Sequence, residues 1–204
     1  MTPSAPRLET VTGDALRPVL GECARLRCAV FREWPYLYDG TPEYESSYLA
    51  GYAASPGAAL VLARDGGRVV GVATCQPMAE AAEPVRSAFR HHGLDPADWC
   101  YFGESVLLPE YRGHGLGVGF FTAREAHARG LGLGGAAFCA VLRDADDPRR
   151  PPGYQPLDAF WRRRGYTPCP AISCVFHWQE IGGDRETPHA LGFWLKSLDG
   201  RPLP

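Results

Sequence analysis

The sequence predicts a mixed α/β fold, a sheet of parallel and antiparallel strands with helices on both faces. Three observations lead there. Short apolar runs alternate with stretches of helical periodicity in the order β-α-α-β-β-(α)-β-α-β-α-β-β. Two apolar runs are joined by Asp65-Gly66-Gly67-Arg68, a hairpin turn. A glycine-rich turn, Arg112 to Gly117, separates a strand from a helix.

In order along the chain, Met1 to Pro6 reads as a loose polar tail and Arg7 to Val11 as a first strand. Leu16, Val19, Leu20, Cys23, Leu26, Val30 and Phe31 fall at helical spacing, with Asp14 as the expected N-cap and Pro18 confined to the first turn. An aromatic loop, Trp34 to Gly40, precedes a second helix carrying Tyr44, Tyr48 and Tyr52, a stripe expected to pack in the core. Ala58 to Arg64 and Val69 to Thr74 form the hairpin. Glu80 to His92 is a helical insertion, and Trp99 to Leu108 a long strand that ends at Pro109. After the glycine turn come a helix to Arg129, a buried strand from Ala136 to Leu142 and a long loop from Arg143 to Pro156. Structureless loops of that length in compact domains are often functional. A short helix over Leu157 to Arg164, a strand over Ser173 to Glu180 and a last short strand at Phe193 to Leu195 complete the order. The whole of 1–204 is expected to be one domain, with 181–204 as a C-terminal extension.

Composition narrows the function classes. A 45% hydrophobic and 11% aromatic content can bury a substantial core. A formal net charge of -2 gives no electrostatic reason to expect nucleic acid or an acidic membrane as partner. No apolar run is long enough to span a bilayer, and the N-terminus lacks a signal-peptide pattern. Seven cysteines, an odd number without a C-x-x-C, sit mostly in apolar runs. They read as buried hydrophobes of a reducing, cytoplasmic protein. The cysteines and six histidines supply no paired ligands at zinc spacing, so no metal is expected.

The chemistry is expected at the turn. Gly113, Gly115 and Gly117 leave backbone N–H groups unshielded at a helix start, where the helix dipole also favours an anion. A pyrophosphate is the natural guest, with the Arg112 side chain ordering the turn or adding charge. The dinucleotide fingerprint fails because Val118 stands at the third glycine position, and the Gly-Lys-Ser/Thr of a P-loop is absent.

What remains is R-x-x-G-x-G at Arg112, Gly115 and Gly117. Together with Pro109, Glu110, Tyr111, Gly113 and Leu116, it resembles the central motif of the GNAT superfamily of acyl-CoA-dependent N-acyltransferases. Phe160-Trp161-Arg162-Arg163-Arg164-Gly165-Tyr166 is similar to a second motif of that family, and the likeness runs from about Arg7 to Glu180. The resemblance implies a GNAT-type mixed sheet in which a splayed parallel strand pair forms the CoA site. It implies acetyl-CoA as cosubstrate and direct attack of an amine on the thioester. By the same likeness Val106, Leu107, Arg112, Gly113, His114, Gly115, Leu116 and Gly117 hold the cosubstrate, with Leu107 donating to the oxyanion. The acceptor is a small-molecule or peptide amine of unstated identity, and a homodimer would be in keeping with the family. The alternative is a CoA-binding sensor or degenerate relative without turnover. Trp161 motivates it, standing where the family often has a tyrosine acid.

The catalytic candidates are Glu104, Leu107 and Tyr154. Glu104 is a lone acid in an apolar strand. It is either a base made less acidic by burial, or a structural carboxylate paired with Arg143 or another arginine. Tyr154, in the long loop, is the nearest substitute for the missing tyrosine. Trp34, Tyr36, Tyr38 and Asp39 either shape the acceptor pocket, as the resemblance implies, or cover the sheet. Asp144, Asp146, Asp147, Arg149 and Arg150 are charge-balanced and read either as a solvated loop or as contacts for a charged acceptor or the 3′-phosphate of CoA.

Overall fold

The computed structural model describes residues 6–204, so the expected tail lies outside the described residues except for Pro6. Seven strands form one sheet in the order β1-β2-β3-β4-β5-β7-β6. They are β1 (Arg7–Thr12), β2 (Ala59–Asp65), β3 (Arg68–Pro77), β4 (Trp99–Leu107), β5 (Gly135–Val141), β6 (Thr167–Gln179) and β7 (Glu186–Ser197). The helices are α1 (Leu20–Phe31), α2 (Pro42–Ala54), α3 (Glu83–His91), α4 (Leu116–Gly130) and α5 (Asp158–Arg163). Neighbouring strands run antiparallel except β4 and β5, which are parallel.

Helices cover both faces. On one, Leu16, Cys23, Leu26 and Leu49 pack on Leu60, Leu62, Val72 and Val106, while Val85 and Phe89 of α3 pack on Trp99 and Tyr101. On the other, Phe120 of α4 packs on Val61, Val70 and Ala73, and Phe121 joins Phe102, Phe138 and Tyr166. Strand β2 is buried on both faces, which explains its unbroken apolar sequence.

Three expectations need correction. Asp14 caps nothing: a tight helical segment, Gly13–Val19, follows Thr12 and contains Pro18, and α1 starts only at Leu20. The last strand is long, not short. Strand β7 spans twelve residues and lies between β5 and β6, so the expected C-terminal extension supplies an interior strand of the sheet. Its first third, Glu186-Thr187-Pro188-His189, carries no apolar alternation and gives no local strand signal. Strand β6 likewise begins earlier than expected, at Thr167, with an irregularity between Cys169 and Ser173 where the sequence holds Pro170.

Two features of β4 position the site. It pairs with β5 only through Trp99, Cys100 and Tyr101, and beyond them the parallel strands part. It also bulges. Ser105 pairs with Ala73 and Phe102 with Cys75, so Gly103 and Glu104 together oppose Thr74 alone. The extra residue reverses the alternation of side chains. Phe102 faces α4, yet Glu104 and Val106 face α1 and α2. Gly103 is required there, because a Cβ would stand 1.9 Å from the Tyr52 hydroxyl.

Candidate active site

Where β4 and β5 separate, the sheet opens into a cleft of about 1400 Å3. That exceeds the ~300–1,000 Å3 of most small-molecule pockets, so the space suits an extended ligand. One wall is β4 with the turn behind it. The other is β5 with α5 and the loop 143–156.

The turn has the geometry its glycines predict. Gly113 and Gly115 adopt φ of 81° and 82°, a left-handed conformation that strains other residues. Gly115 immediately precedes α4, whose first internal bond here runs from the Gly119 N–H to the Gly115 carbonyl. The N–H groups of the residues between lie in the first turn, where no intrahelical acceptor exists. Arg112 orders the turn instead of adding free charge to it. Its Nη1 and Nη2 pair with Glu33 at 2.8 and 3.0 Å, and its Nε donates to the Leu107 carbonyl at 3.0 Å.

The end of β4 supplies more donors. The Leu108 N–H donates to Val70 on β3 at 3.0 Å. Directions alternate along an antiparallel ladder, so the Val106 N–H also faces β3. The N–H groups of Leu107 and Ser105 face the other way, toward the departed β5. Leu107 and Ser105 line the cleft, whereas Val106 is buried beneath α1.

A nest of glycine amides, two inward amides on a strand end and one continuous cleft thus lie in line. Residues 25–151 match the family model described as "Acetyltransferase (GNAT) family". The chain belongs to the GNAT acetyltransferase family. Solved structures share the fold at low identity. YncA of Salmonella typhimurium, with its cofactor acetyl-CoA, superposes with a TM-score of 0.60 at 13% identity, over 98% of each chain. A ribosomal-protein-alanine N-acetyltransferase from Brucella melitensis gives 0.60 at 15% identity, covering 94% of this chain and 99% of that one. The PaiA N-acetyltransferase of Thermoplasma acidophilum, in complex with coenzyme A, gives 0.55 at 9% identity over 95% and 99%. No protein of curated function matches the chain by sequence.

Within this GNAT fold the predicted residues separate into those that meet at the cleft and those that do not. Leu107, Arg112, Gly113, Gly115 and Gly117 line it, as do Glu104, Tyr154, Trp34 and Tyr36. His114 is exposed on the turn, Leu116 opens α4 and is buried against β2 and β3, and Val106 faces away. Trp34 and Tyr154 meet edge to face at 6.2 Å, closing the cleft from two loops. Arg143 holds this closure by donating to the Pro35 and Tyr36 carbonyls at 2.6 and 3.0 Å. Burial, and then Asp158, push the Tyr154 phenol above its ordinary pKa, so it keeps its proton near neutrality. Trp161 packs on Phe138 and Trp194, leaving no hydroxyl at that position. Asp39 is paired with Arg32 at 2.5 Å and lines no part of the cleft.

Beside the cleft is a smaller cavity of about 130 Å3. The two share Phe31, Tyr36, Gly103, Glu104 and Cys139. Tyr38, Tyr44, Tyr48, Tyr101 and Trp178 complete an aromatic wall. Beneath it runs a buried chain of charges. Arg27 of α1 pairs through Nε with Glu45 of α2 and through Nη1 with Glu104 at 2.5 Å. Glu104 also accepts from the Tyr48 hydroxyl at 2.7 Å and from the Thr74 hydroxyl. The Tyr48 phenol lies well above its ordinary pKa, first through burial and then through Glu104, so it remains a donor. Removing one partner of such a buried pair costs ~3–5 kcal/mol.

An ionised carboxylate offers about four lone-pair sites; on Glu104 two accept from the Tyr48 and Thr74 hydroxyls and a third faces the Arg27 guanidinium as an ion pair. Glu45 is fully buried, and among the described residues no donor bonds its Oε1. An unsatisfied buried acceptor costs ~1–3 kcal/mol. Sequence reasoning missed Arg27 and Glu45, and it read Tyr48 as core packing where the structure bonds it to Glu104. Arg27 falls within an otherwise apolar helical stripe, and Glu45 lies between Tyr44 and Tyr48, so only their packing reveals them.

Behind β4, Arg124 of α4 is fully buried. It donates to the Glu104 and Thr74 carbonyls at 3.1 and 3.4 Å and stacks over Phe102 at 4.4 Å. It braces the bulge from the opposite face of the sheet.

Proposed function

We propose that this GNAT protein binds acetyl-CoA in the large cleft and transfers the acetyl group to the amine of a small acceptor presented from the aromatic cavity. The carrying observation is the parting of β4 from β5 directly before the glycine turn. It leaves anion-binding amides and strand amides on one continuous wall. The pyrophosphate sits on the amides around Gly113, Gly115 and Gly117, and the pantetheine arm runs along β4. Solved relatives of this fold hold acetyl-CoA or coenzyme A, which supports the reading.

In the transfer, the neutral amine attacks the thioester carbonyl. The Leu107 N–H stabilises the developing oxyanion. Glu104, through its remaining lone pair, takes the amine proton, since a free alkylamine has a pKa near ~10.4. The tetrahedral carbon expels the thiolate, which takes a proton from Tyr154 across the closed loops; Glu104 then gives up its proton and the Tyr154 phenolate regains one through solvent. The products are an amide and coenzyme A. Residues 6–204 act as one catalytic unit.

Calorimetry tests the binding half. Gly115→Val fills the nest with a side chain, and a folded variant is expected to lose measurable acetyl-CoA affinity. Wild-type affinity in that folded variant would sink the assignment. Thiol release with an amine panel tests the transfer half.

A further inference from the structure

The orphaned oxygen of Glu45 says what the acceptor must carry. Resting on the transferase reading above, we propose that Glu45 is the acceptor-recognising carboxylate. The acceptor is then a compact amine of about six heavy atoms, with a second, cationic donor at the end remote from the reacting nitrogen.

Four observations converge. Glu45 lines the small cavity, is fully buried and presents Oε1 without a donor among the described residues. Its other oxygen is engaged by Arg27, so the carboxylate is fixed in place and the open lone pairs are not free to turn to solvent. Arg27 is shared between Glu45 and Glu104, and Arg124, on the opposite face of the sheet, adds its charge on the side of Glu104 alone. A bound cation would give Glu45 a partner of its own. Tyrosine and tryptophan faces around the cavity suit such a cation further.

Geometry sets the size. A cavity of about 130 Å3 is close to the ~150 Å3 that admits benzene, about six heavy atoms. Glu104 and Gly103 stand at its junction with the cleft, and Glu45 lines the small cavity alone. One nitrogen therefore reaches the thioester at the junction while the other donates to Glu45. Tyr38 is the nearest competitor. Burial and then a side-chain contact with Glu45 raise its phenol pKa, but its hydroxyl does not meet hydrogen-bond geometry at Oε1, and the half-exposed ring is free to yield to a ligand. A mono-amine of the same length fills the cavity and leaves Glu45 unsatisfied.

The test compares 1,4-diaminobutane with n-butylamine as acceptors at saturating acetyl-CoA. The wild-type protein is expected to favour the diamine at least about tenfold in kcat/KM, the effect of one charge-assisted hydrogen bond. In Glu45→Gln the ratio falls toward one while acetyl-CoA affinity holds. In Glu45→Asp the optimum moves to the longer 1,5-diaminopentane, a shift that a merely structural carboxylate does not produce. Equal kcat/KM for the two amines in the wild type overturns the proposal, as does a preference that survives in folded Glu45→Gln. If acetyl-CoA binds but neither amine turns over, diamine binding to the acetyl-CoA complex is measured by calorimetry. Absence of binding then overturns the assignment of Glu45. Failure to bind acetyl-CoA at all overturns instead the transferase reading beneath it.

Discussion

At the scale of the residue, Glu104 shows how much a single insertion in a strand decides. Regular alternation would place it beside Phe102 against α4, but the bulge carries it across the sheet to Arg27, Tyr48 and Thr74. There it is both a structural counter-ion and a group with one lone pair left at the junction of the two cavities. The sequence holds both roles open, and the structure joins them in one side chain. Glu104→Gln is expected to lower kcat about 10²-fold and to flatten the acidic limb of the pH–rate profile, with acetyl-CoA affinity little changed. A variant of wild-type turnover with an unaltered profile would reduce Glu104 to the structural role. The turn glycines are the opposite case. Their positive φ and exposed amides are local properties, so sequence alone locates them.

At the scale of the element, the aromatic loop divides. Trp34 and Tyr36 line the cleft and Tyr38 the small cavity, while Asp39 is held by Arg32 outside both. Residues four or five apart on a loop have no shared face to be read from spacing, so the division is invisible in the sequence. Tyr38→Ala is expected to raise the acceptor KM several-fold with the acetyl-CoA KM unmoved. Asp39→Asn is expected to leave both constants near wild type, because an exposed pair contributes only ~0–1 kcal/mol. Steady-state kinetics with both substrates varied checks this, and an acceptor KM moved equally by the two substitutions would contradict it. Helix α2 teaches the same lesson. Its Tyr44, Tyr48 and Tyr52 look alike at helical spacing, yet Tyr52 is core, Tyr48 binds Glu104 and Tyr44 is exposed at the cavity rim.

At the scale of the whole molecule, the long loop 143–156 is tied to distant parts of the chain. Arg149 bridges Asp147 and Glu180, and Arg143 reaches Glu180 and the aromatic loop. Hydrogen bonds from Arg149 hold Asp147 down at about 2, below its ordinary 3.8. Glu180 also lies below the usual carboxylate range, because the pull of Arg149 and Arg143 outweighs the opposing effect of burial. A carboxylate whose folded pKa is depressed stabilises the fold above its unfolded value and ceases to as pH falls through the folded one. The anchoring is therefore complete above about pH 4 and is lost toward pH 2. Urea denaturation is expected to show Asp147→Asn less stable than wild type near neutrality, with the gap closing as pH approaches about 2. A gap that persists under acid would place its origin elsewhere.

By itself the sequence determined the α/β order, the hairpin, the glycine turn at a helix start and, from these, the family. Each is carried by residues adjacent in the chain, where backbone conformation and periodicity act over a few positions. Only the tertiary structure decided that β7 threads between β5 and β6, that β4 parts from β5, and that Arg27, Glu45 and Glu104 meet. Those facts join residues from α1, α2 and β4 that are far apart in sequence, and their energies arise from burial and charge pairing that no local segment contains.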